Sequence, residues 1–543
     1  MQTKSANHSY IKMVALSMAD GYARLTNKPQ CVIVHVDVGT QGLGAAVHNA
    51  SCGRAPVLIF AGLSPYTLEG EYRGTRTEYI HWIQDVPDQK QIVAQYCRYN
   101  GEIKFGRNVK QIVHRSLQFA TSDPQGPVYL YSTREALEEE IEPYETKQKY
   151  WGAVIPSPLP QDAVKMISEG LARAKSPLLI VGYTGRKAES VAQAVALADA
   201  IPGLRVMDAG GSDMCFPANH PAWLGLRYGV EDWIKTADFI LVVDCDVPWI
   251  PVHCTPRKDA TIVHIDVDPL KQQMPVFYLP AIARFKSDST LAFSQITGYI
   301  KSQRVLTNLL ASEANVKARE ARQTAFDARQ AKLDQLAQLP KETKNAPINP
   351  HLLTKQVREA VPEDTIFAVE AVTLAVVVAD QIAAVLPKSW INCGGGGLGW
   401  SGGGALGIKL ASDYESGGSG KFVCQIVGDG AFLFTVPGSV YWIAQRYDIP
   451  ILTIVLNNKG WNAPRRSLLL VHPDGEGSKV DNRELNISFE PSPDYAGIAK
   501  AASGGKLWSG CVTTVDELLQ ELPKAVAAVE GGRSAVLEVR LSD

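Results

Sequence analysis

The chain has 543 residues, and 54 Lys and Arg against 56 Asp and Glu leave a formal net charge of -2. This near balance excludes a general attraction to nucleic acid or to an anionic membrane, so we expect neither as a partner. Hydrophobic residues make up 45% and charged residues 20%, which excludes wholesale disorder. At about 150 residues per domain, the length predicts three or four domains.

The first third of the chain alternates helical and strand patterns. Apolar residues recur at helical spacing over 13–24, and short buried strands follow over 31–36, 57–61 and 127–131. Buried strands separated by helices are typical of a parallel, doubly wound sheet. A polar, acidic stretch and then a proline-rich one follow, and they predict a domain boundary near residue 150.

The middle and last thirds repeat this α/β pattern. We predict strands at 177–181, 239–243, 262–267, 365–369, 422–427, 451–456 and 535–539, and helices at 187–200, 312–339 and 350–361. The stretch 345–350 is interpreted as a linker. The sequence therefore predicts three α/β domains, over residues 1–150, 160–335 and 345–543.

Cysteine usage and the chain ends bear on the compartment. The nine cysteines are scattered without a C-x-x-C pair, which argues against a disulfide framework and a structural zinc site. Residues 1–12 contain no apolar signal core, and the longest apolar run, 371–379, is too short to span a bilayer. We expect a soluble, cytoplasmic protein.

Fourteen of the 45 glycines lie between residues 394 and 430, where two familiar motifs overlap. Gly397 to Gly402 matches the dinucleotide fingerprint G-x-G-x-x-G, but the preceding segment, 390–393, is a poor strand. Residues 399–403 match the nucleophile elbow G-x-S-x-G, with Asp429 and His472 in hydrolase order. His472 is the only histidine after Ser401, so this order carries little information, and we favour neither motif.

A third motif lies at the ends of two predicted strands. Gly428-Asp429-Gly430 follows the strand at 422–427, and 26 residues separate it from Asn457-Asn458, which follows the strand at 451–456. The carboxyl ends of parallel strands meet at one edge, where α/β sheets bind ligands. Carboxylate and carbonyl oxygens suit Mg²⁺, and the glycines let backbone N–H groups approach a diphosphate.

This spacing resembles the signature of thiamine diphosphate-dependent enzymes. Met18-Ala19-Asp20-Gly21-Tyr22-Ala23-Arg24 and residues 125–130 resemble segments of that family's pyrimidine-binding domain. The likeness covers nearly the whole chain. Within the family, the pattern of motifs resembles the acetolactate synthase, benzoylformate decarboxylase and pyruvate decarboxylase group. It implies three doubly wound parallel-sheet domains: pyrimidine-binding, central and diphosphate-binding. It also implies a homodimer or homotetramer with the cofactor at the subunit interface.

The resemblance assigns roles to particular residues. It implies Mg²⁺ ligands at Asp429, Asn458 and the carbonyl of Gly460, and a diphosphate cradle at Thr373, Gly428, Gly430 and Ala431. Leu398 is the bulky side chain expected beneath the bent cofactor. The implied reaction is decarboxylation of a 2-oxo acid through an enamine, followed by aldehyde release or by ligation to a second carbonyl.

Two histidines are candidates for proton transfer. His35 lies at the end of the strand predicted over 31–36, where a loop begins that resembles the histidine-bearing loop of benzoylformate decarboxylase. His81 lies where pyruvate decarboxylases place histidines. For His35 the alternative interpretation is a loop histidine bonded to backbone. Arg465 or Arg466 would suit a substrate carboxylate, and the alternative for either is a surface charge.

The chain departs from the family pattern near its beginning. The activating glutamate, which lies six residues before Met18, is replaced by Lys12, and residues 1–11 resemble nothing in the family. We expect a first domain truncated at its N-terminus. The alternatives are a divergent enzyme and a catalytically silent thiamine diphosphate-binding protein. In acetolactate synthases a Gly-Met-His-Gly stretch follows the corresponding segment of an FAD-binding central domain. Here Leu226-Arg227-Tyr228-Gly229 follows His220-Pro221, which argues against FAD and leaves its binding open.

Overall fold

The computed structural model describes residues 11–542, and its first parallel sheet is built by residues 11–154. The strands are β1 (Gln30–Val34), β2 (Val57–Leu63), β3 (Asn100–Glu102) and β4 (Val128–Thr133). The helices are α1 (Lys12–Thr26), α2 (Val38–Gln41), α3 (Gly44–Cys52), α4 (Ile80–Ile83), α5 (Val109–Thr121) and α6 (Arg134–Leu137). The strand order is β1-β2-β4-β3, and all pairs are parallel.

The second sheet has six parallel strands in the order β10-β9-β8-β5-β6-β7. They are β5 (Pro177–Val181), β6 (Arg205–Asp208), β7 (Trp223–Leu226), β8 (Phe239–Val243), β9 (Thr261–Asp266) and β10 (Ala283–Lys286). The helices are α7 (Gln161–Arg173), α8 (Ala188–Ala200), α9 (Asp232–Thr236), α10 (Ser289–Ser302), α11 (Arg304–Leu310), α12 (Glu313–Leu336) and α13 (Pro350–Ala360). The central strands β5 and β8 are buried throughout, as expected for a sheet covered on both faces.

The third sheet contains β11 (Ile366–Glu370), β13 (Val423–Gly428), β14 (Leu452–Asn457), β16 (Ala535–Arg540) and β15 (Trp508–Val512), adjacent in that order and parallel. The helices that follow β11 along the chain are α14 (Ala375–Ile382), which belongs to the second compact unit, and α15 (Trp400–Glu415), α16 (Asp429–Phe434), α17 (Pro437–Arg446), α18 (Asn462–Val471), α19 (Tyr495–Ala502) and α20 (Val515–Glu530). A short strand, β12 (Trp390–Asn392), occupies the segment that the sequence analysis judged a poor strand.

The chain divides into two compact units. The first comprises the residues up to Val154, Thr365–Val372 and the chain from Cys393 onward, and the second comprises Ile155–Asp364 and Thr373–Asn392. The prediction of three doubly wound parallel-sheet domains is confirmed by the three sheets. The residues up to Val154 and those from Cys393 onward form a single compact unit. The predicted bounds of three separate domains therefore stay predictions. The predicted N-terminal truncation concerns residues that lie mostly outside the described part of the chain.

Glycines hold two helices of the first unit close together. A β-carbon on Gly407 would lie 2.0 Å from the carbonyl oxygen of Met18, and one on Gly21 would lie 2.3 Å from that of Gly404. The backbones of α1 and α15 therefore touch where no side chain fits. Within the glycine-rich stretch 394–407, Gly404 and Gly407 therefore belong to a helix and serve its packing.

Within the described range 11–542, no helix combines the length and the apolar content that crossing a bilayer requires.

Candidate functional site

The predicted site lies at the carboxyl-end edge of the third sheet. β11, β13 and β14 are neighbours, with Glu370 beside Val427 and Gly428 beside Leu456 in register. The strands therefore end together, and their last residues and the turns that follow lie along one edge. This is the edge at which α/β sheets place ligands.

The three predicted metal ligands converge at this edge. Asp429 is 3% exposed, and its Oδ2 accepts a hydrogen bond from the N–H of Gly460 at 3.1 Å. One terminal atom of the Asn458 amide lies 3.1 Å from the carbonyl oxygen of Gly460 and 3.3 Å from each carboxylate oxygen of Asp429. The sequence alone thus identified three groups that the fold brings into contact.

The donor set fits a hard divalent cation. With the amide oxygen of Asn458 in that position, oxygens of three residues face one another with no hydrogen between them, and a cation would relieve their repulsion. With the nitrogen there, the amide would donate hydrogen bonds instead. One carboxylate and two carbonyl oxygens suit Mg²⁺, which fills its other positions with water and phosphate oxygens. The described residues contain no group of three His, Cys, Asp or Glu side chains placed to hold a metal.

Burial shapes the electrostatics of Asp429. Removal from water raises the pKa of this carboxyl to about 6, and backbone N–H groups, including those of Gly430 and Gly460, oppose the rise. A bound cation would favour the ionised form.

The two members of the asparagine pair have different roles. The Asn457 side chain is fully buried and donates to Ser492 Oγ and to Glu538 Oε1, both at 2.9 Å. It therefore anchors the end of β14, which leaves Asn458 to face the site. Between the ligands the chain turns sharply: Gly460 has φ 150°, and a β-carbon there would lie 2.2 Å from the carbonyl oxygen of Ile487.

The predicted diphosphate residues have different surroundings. At Gly428 a β-carbon would meet nothing nearer than 4.0 Å, so space lies open in front of its backbone. At Gly430 a β-carbon would lie 2.3 Å from the ring of Trp461, so packing within the chain already requires glycine there. Ala431 is buried in α16. Thr373 lies in the short 3-10 turn Val372–Leu374 after β11, and its predicted role stays a prediction.

Leu398 is half-buried, and side chains that the sequence analysis missed hold the backbone on both sides of it. On one side Asn49 from α3 pairs with the peptide of Gly397, and on the other Glu370 accepts backbone N–H groups at the start of α15. One feature of the sequence could have identified Glu370 as a site residue: it is a carboxyl residue directly after the apolar strand predicted at 365–369.

His35 is exposed directly after β1, in a loop that buried polar groups hold in place. Asp37 is buried with φ 38°, an uncommon conformation for a residue other than glycine. Its backbone N–H donates to Gln89 Oε1 at 2.7 Å, and its Oδ1 accepts from Gln41 Nε2 at 2.9 Å. Backbone strain held in this way is common at functional sites.

His81 is buried, and its Nδ1 accepts hydrogen bonds from the backbone N–H groups of Thr77 at 3.2 Å and Glu78 at 3.4 Å. These contacts give it a structural task in the turn before α4. Arg465 likewise donates to the carbonyl oxygens of Gly477 at 2.7 Å and Val480 at 2.9 Å. The roles at the substrate predicted for His81 and Arg465 stay predictions.

Lys12 begins α1 and is half-buried, and its aliphatic stem packs against Gly42, in the loop that follows β1. Ser401 of the rejected nucleophile elbow is fully buried in the first turn of α15, where its Oγ accepts from Gln425 Nε2 at 2.9 Å. His472 is exposed at the end of α18. A nucleophilic role for Ser401 therefore has no support.

Comparison with known families agrees with this architecture. Residues 12–92, 164–278 and 371–539 match the N-terminal TPP binding domain, the central domain and the C-terminal TPP binding domain of thiamine pyrophosphate enzymes.

Three curated relatives show the range of activities among similar proteins. Benzoylformate decarboxylase of Pseudomonas aeruginosa is 24% identical, with 96% of this chain and 89% of that protein covered. 2-Hydroxyacyl-CoA lyase 2 of Danio rerio is 24% identical over 82% of this chain and 73% of the lyase. Acetolactate synthase large subunit of Haemophilus influenzae is 23% identical over 95% and 84%.

Among solved structures, benzoylformate decarboxylase from Polynucleobacter necessarius superposes with a TM-score of 0.77 at 18% identity, covering 98% of this chain and 91% of that one. This likeness shows a shared fold. Because the three family domains match more than half of the chain, and in the same order, the protein belongs to the family of thiamine pyrophosphate enzymes.

Proposed function

We propose that this protein binds thiamine diphosphate through Mg²⁺ and acts on a 2-oxo acid, as a decarboxylase or as an acetolactate synthase-like carboligase. The observation that carries the proposal is the convergence of Asp429, Asn458 and the Gly460 carbonyl at the end of the third sheet. Relatives named as decarboxylase, lyase and acetolactate synthase support the same class of chemistry.

The chain's own residues would bind and orient the reactants. Asp429, Asn458 and Gly460 would hold the metal, the open backbone at Gly428 would face the diphosphate, and Leu398 would support the ring system. When bound, thiamine diphosphate supplies a carbon that adds to the substrate carbonyl and a ring that accepts the electron pair released with CO₂. His35, exposed on its braced loop, would exchange a proton between its imidazole and the substrate oxygen.

A second candidate function is a catalytically silent thiamine diphosphate-binding protein. Lys12 at the first position of α1 favours it, because the family resemblance places the activating glutamate there. A cationic side chain cannot stabilise a protonated pyrimidine nitrogen, since like charges repel.

The two functions are separated by one experiment. The purified protein is incubated with thiamine diphosphate, Mg²⁺ and a panel of aliphatic and aromatic 2-oxo acids, and CO₂, aldehyde and ligated products are measured. Release of CO₂ from any of the 2-oxo acids supports the proposed enzymatic function. Tight cofactor binding without any product favours the silent protein, and no cofactor binding contradicts both proposals.

A further inference from the structure

The backbone around Leu398 is held by three side chains from two different elements, α3 and β11. Five of the six consecutive residues from Gly396 to Ser401 donate their backbone N–H to such a side chain. Leu398, the one residue of the six outside this set, stands in the middle. The fixed backbone on either side of Leu398 therefore sets the direction of the Leu398 side chain.

On the C-terminal side the clamp is Glu370, the last residue of β11. Its side chain is 1% exposed; Oε1 accepts from the N–H groups of Gly399 at 2.8 Å and Trp400 at 3.3 Å, and Oε2 accepts from Ser401 at 2.9 Å. These are N–H groups of the first turn of α15, which lack partners inside the helix. Hydrogen bonds to a buried carboxylate are among the stronger ones in proteins.

On the N-terminal side the clamp comes from α3. Asn49, whose side chain is fully buried, donates from Nδ2 to the carbonyl oxygen of Gly397 at 2.6 Å and accepts the Gly397 N–H on Oδ1 at 3.1 Å. His48 Nε2 accepts the N–H of Gly396 at 3.1 Å. Because Asn49 bonds both the N–H and the carbonyl oxygen of Gly397, it fixes the position and the orientation of the Gly397 backbone.

The turn has little freedom to adapt if a clamp is lost. Gly399 has φ 102°, and a β-carbon there would lie 2.1 Å from the carbonyl oxygen of Phe434. The backbone after Leu398 is thus pressed against the end of α16, whose first residue is Asp429. A shift of the turn would displace Leu398 relative to the metal ligands.

We propose that Glu370 and Asn49, assisted by His48, are positioning residues that aim Leu398 at the bound cofactor. This inference rests on the proposed function, in which Leu398 supports the cofactor rings. In contrast to an ordinary helix cap, such a residue affects the geometry of the bound cofactor as well as the stability of the protein.

The test compares Glu370→Gln with Asp288→Asn. In Glu370→Gln, an amide NH₂ replaces one acceptor oxygen and faces a backbone N–H, so at least one hydrogen bond is lost. Asp288 is a matched control: it is 5% exposed, and it caps α10 in the second unit by accepting the N–H of Leu291 at 3.0 Å. Each substitution removes one buried carboxylate at a helix start.

Three measurements on the full-length protein decide the outcome. They are hydrogen–deuterium exchange of peptides covering 394–401, the near-ultraviolet circular dichroism of bound thiamine diphosphate, and kcat together with cofactor affinity. For Glu370→Gln we expect faster exchange, an altered cofactor spectrum and a kcat lower by about 10- to 100-fold, the effect of a misplacement of about 1 Å. Cofactor affinity should change by less than about threefold, since the metal ligands are intact.

Asp288→Asn should lower thermal stability and leave the spectrum and kcat unchanged. An unaltered cofactor spectrum and kcat in Glu370→Gln would overturn the inference. If Glu370→Gln does not fold, Asn49→Asp, which turns an oxygen toward the Gly397 carbonyl, must give the same changes, and a wild-type spectrum there refutes the proposal. If the wild-type protein has no turnover, the proposed function fails, while exchange and the spectrum still decide the inference.

Discussion

At the scale of single residues, Asp429 is the group on which the metal assignment depends. Asp429→Asn keeps the size of the side chain and removes the charge, so we expect the Mg²⁺ concentration for half-maximal cofactor binding to rise about tenfold or more. Titration of Mg²⁺ against thiamine diphosphate, followed by tryptophan fluorescence, measures this. Asp448→Asn, an exposed change after α17, should behave as wild type. An unchanged Mg²⁺ requirement in Asp429→Asn would contradict the assignment.

Asp208, at the end of β6, makes the stability of the protein depend on pH. Burial raises the pKa of this carboxyl from 3.8 to about 7, although the N–H groups of Gly211 and Gly210 donate to it. Between these pKa values the folded protein binds a proton that the unfolded chain releases, so this group lowers stability as pH rises from about 4 to 7.

Asp208→Asn mimics the protonated form and keeps an oxygen for both N–H groups. We expect the variant to melt at a higher temperature than wild type at pH 8 and to differ less from it at pH 5. Thermal denaturation at the two pH values measures this difference in melting temperature between variant and wild type. An equal difference in melting temperature at pH 5 and at pH 8 would show that Asp208 is already ionised in the folded protein at pH 5.

At the scale of elements, the sequence predicted the buried strands well because their apolar runs are continuous. Strands β5, β8, β13, β14 and β16 lie within a residue or two of the predicted bounds. Six strands were missed: β3, β6, β7, β10, β12 and β15. They have three to five residues, and most lack such a run. Tertiary pairing, which no local pattern records, makes these segments strands.

The same division applies to the site. The convergence of Asp429, Asn458 and Gly460 could be predicted because their spacing repeats a strand-end pattern. Glu370 and Asn49, in contrast, contact partners 29 and 348 positions away in the sequence. Histidine roles were undecidable because a ring nitrogen can bond to backbone or to substrate with the same local sequence.

The packing of α1 on α15 gives a prediction at this scale. Gly407→Ala would normally favour a helix, but its β-carbon would meet the Met18 carbonyl oxygen at 2.0 Å, and no rotamer can relieve a backbone clash. We expect a loss of about 1–3 kcal/mol in the free energy of unfolding, measured by urea denaturation. Gly418→Ala is the control, since nothing lies within 4 Å of its β-carbon position. Equal stability of the two variants would show that the helices can separate without cost.

At the scale of the whole molecule, one face of β1 is the surface where we expect a second chain to bind. Val32 and Val34 are buried, whereas Ile33 is 75% exposed and His35 on the same face is exposed as well. Parallel strands are normally covered on both faces, so this face needs a cover. The proposed homodimer, with its cofactor between subunits, would supply one beside the candidate proton donor.

Ile33→Lys tests this arrangement, because a charge buried in an interface without a partner opposes association. We expect wild type to elute as a dimer or tetramer, and the variant to shift toward monomer and to bind thiamine diphosphate more weakly in parallel. Size-exclusion chromatography with light scattering and a cofactor titration measure both. Val305→Lys on α11, at a valine that is 73% exposed, should change neither. A monomeric wild-type protein with full activity would refute the shared site, and an unchanged assembly in Ile33→Lys would show that Ile33 does not lie in a subunit interface.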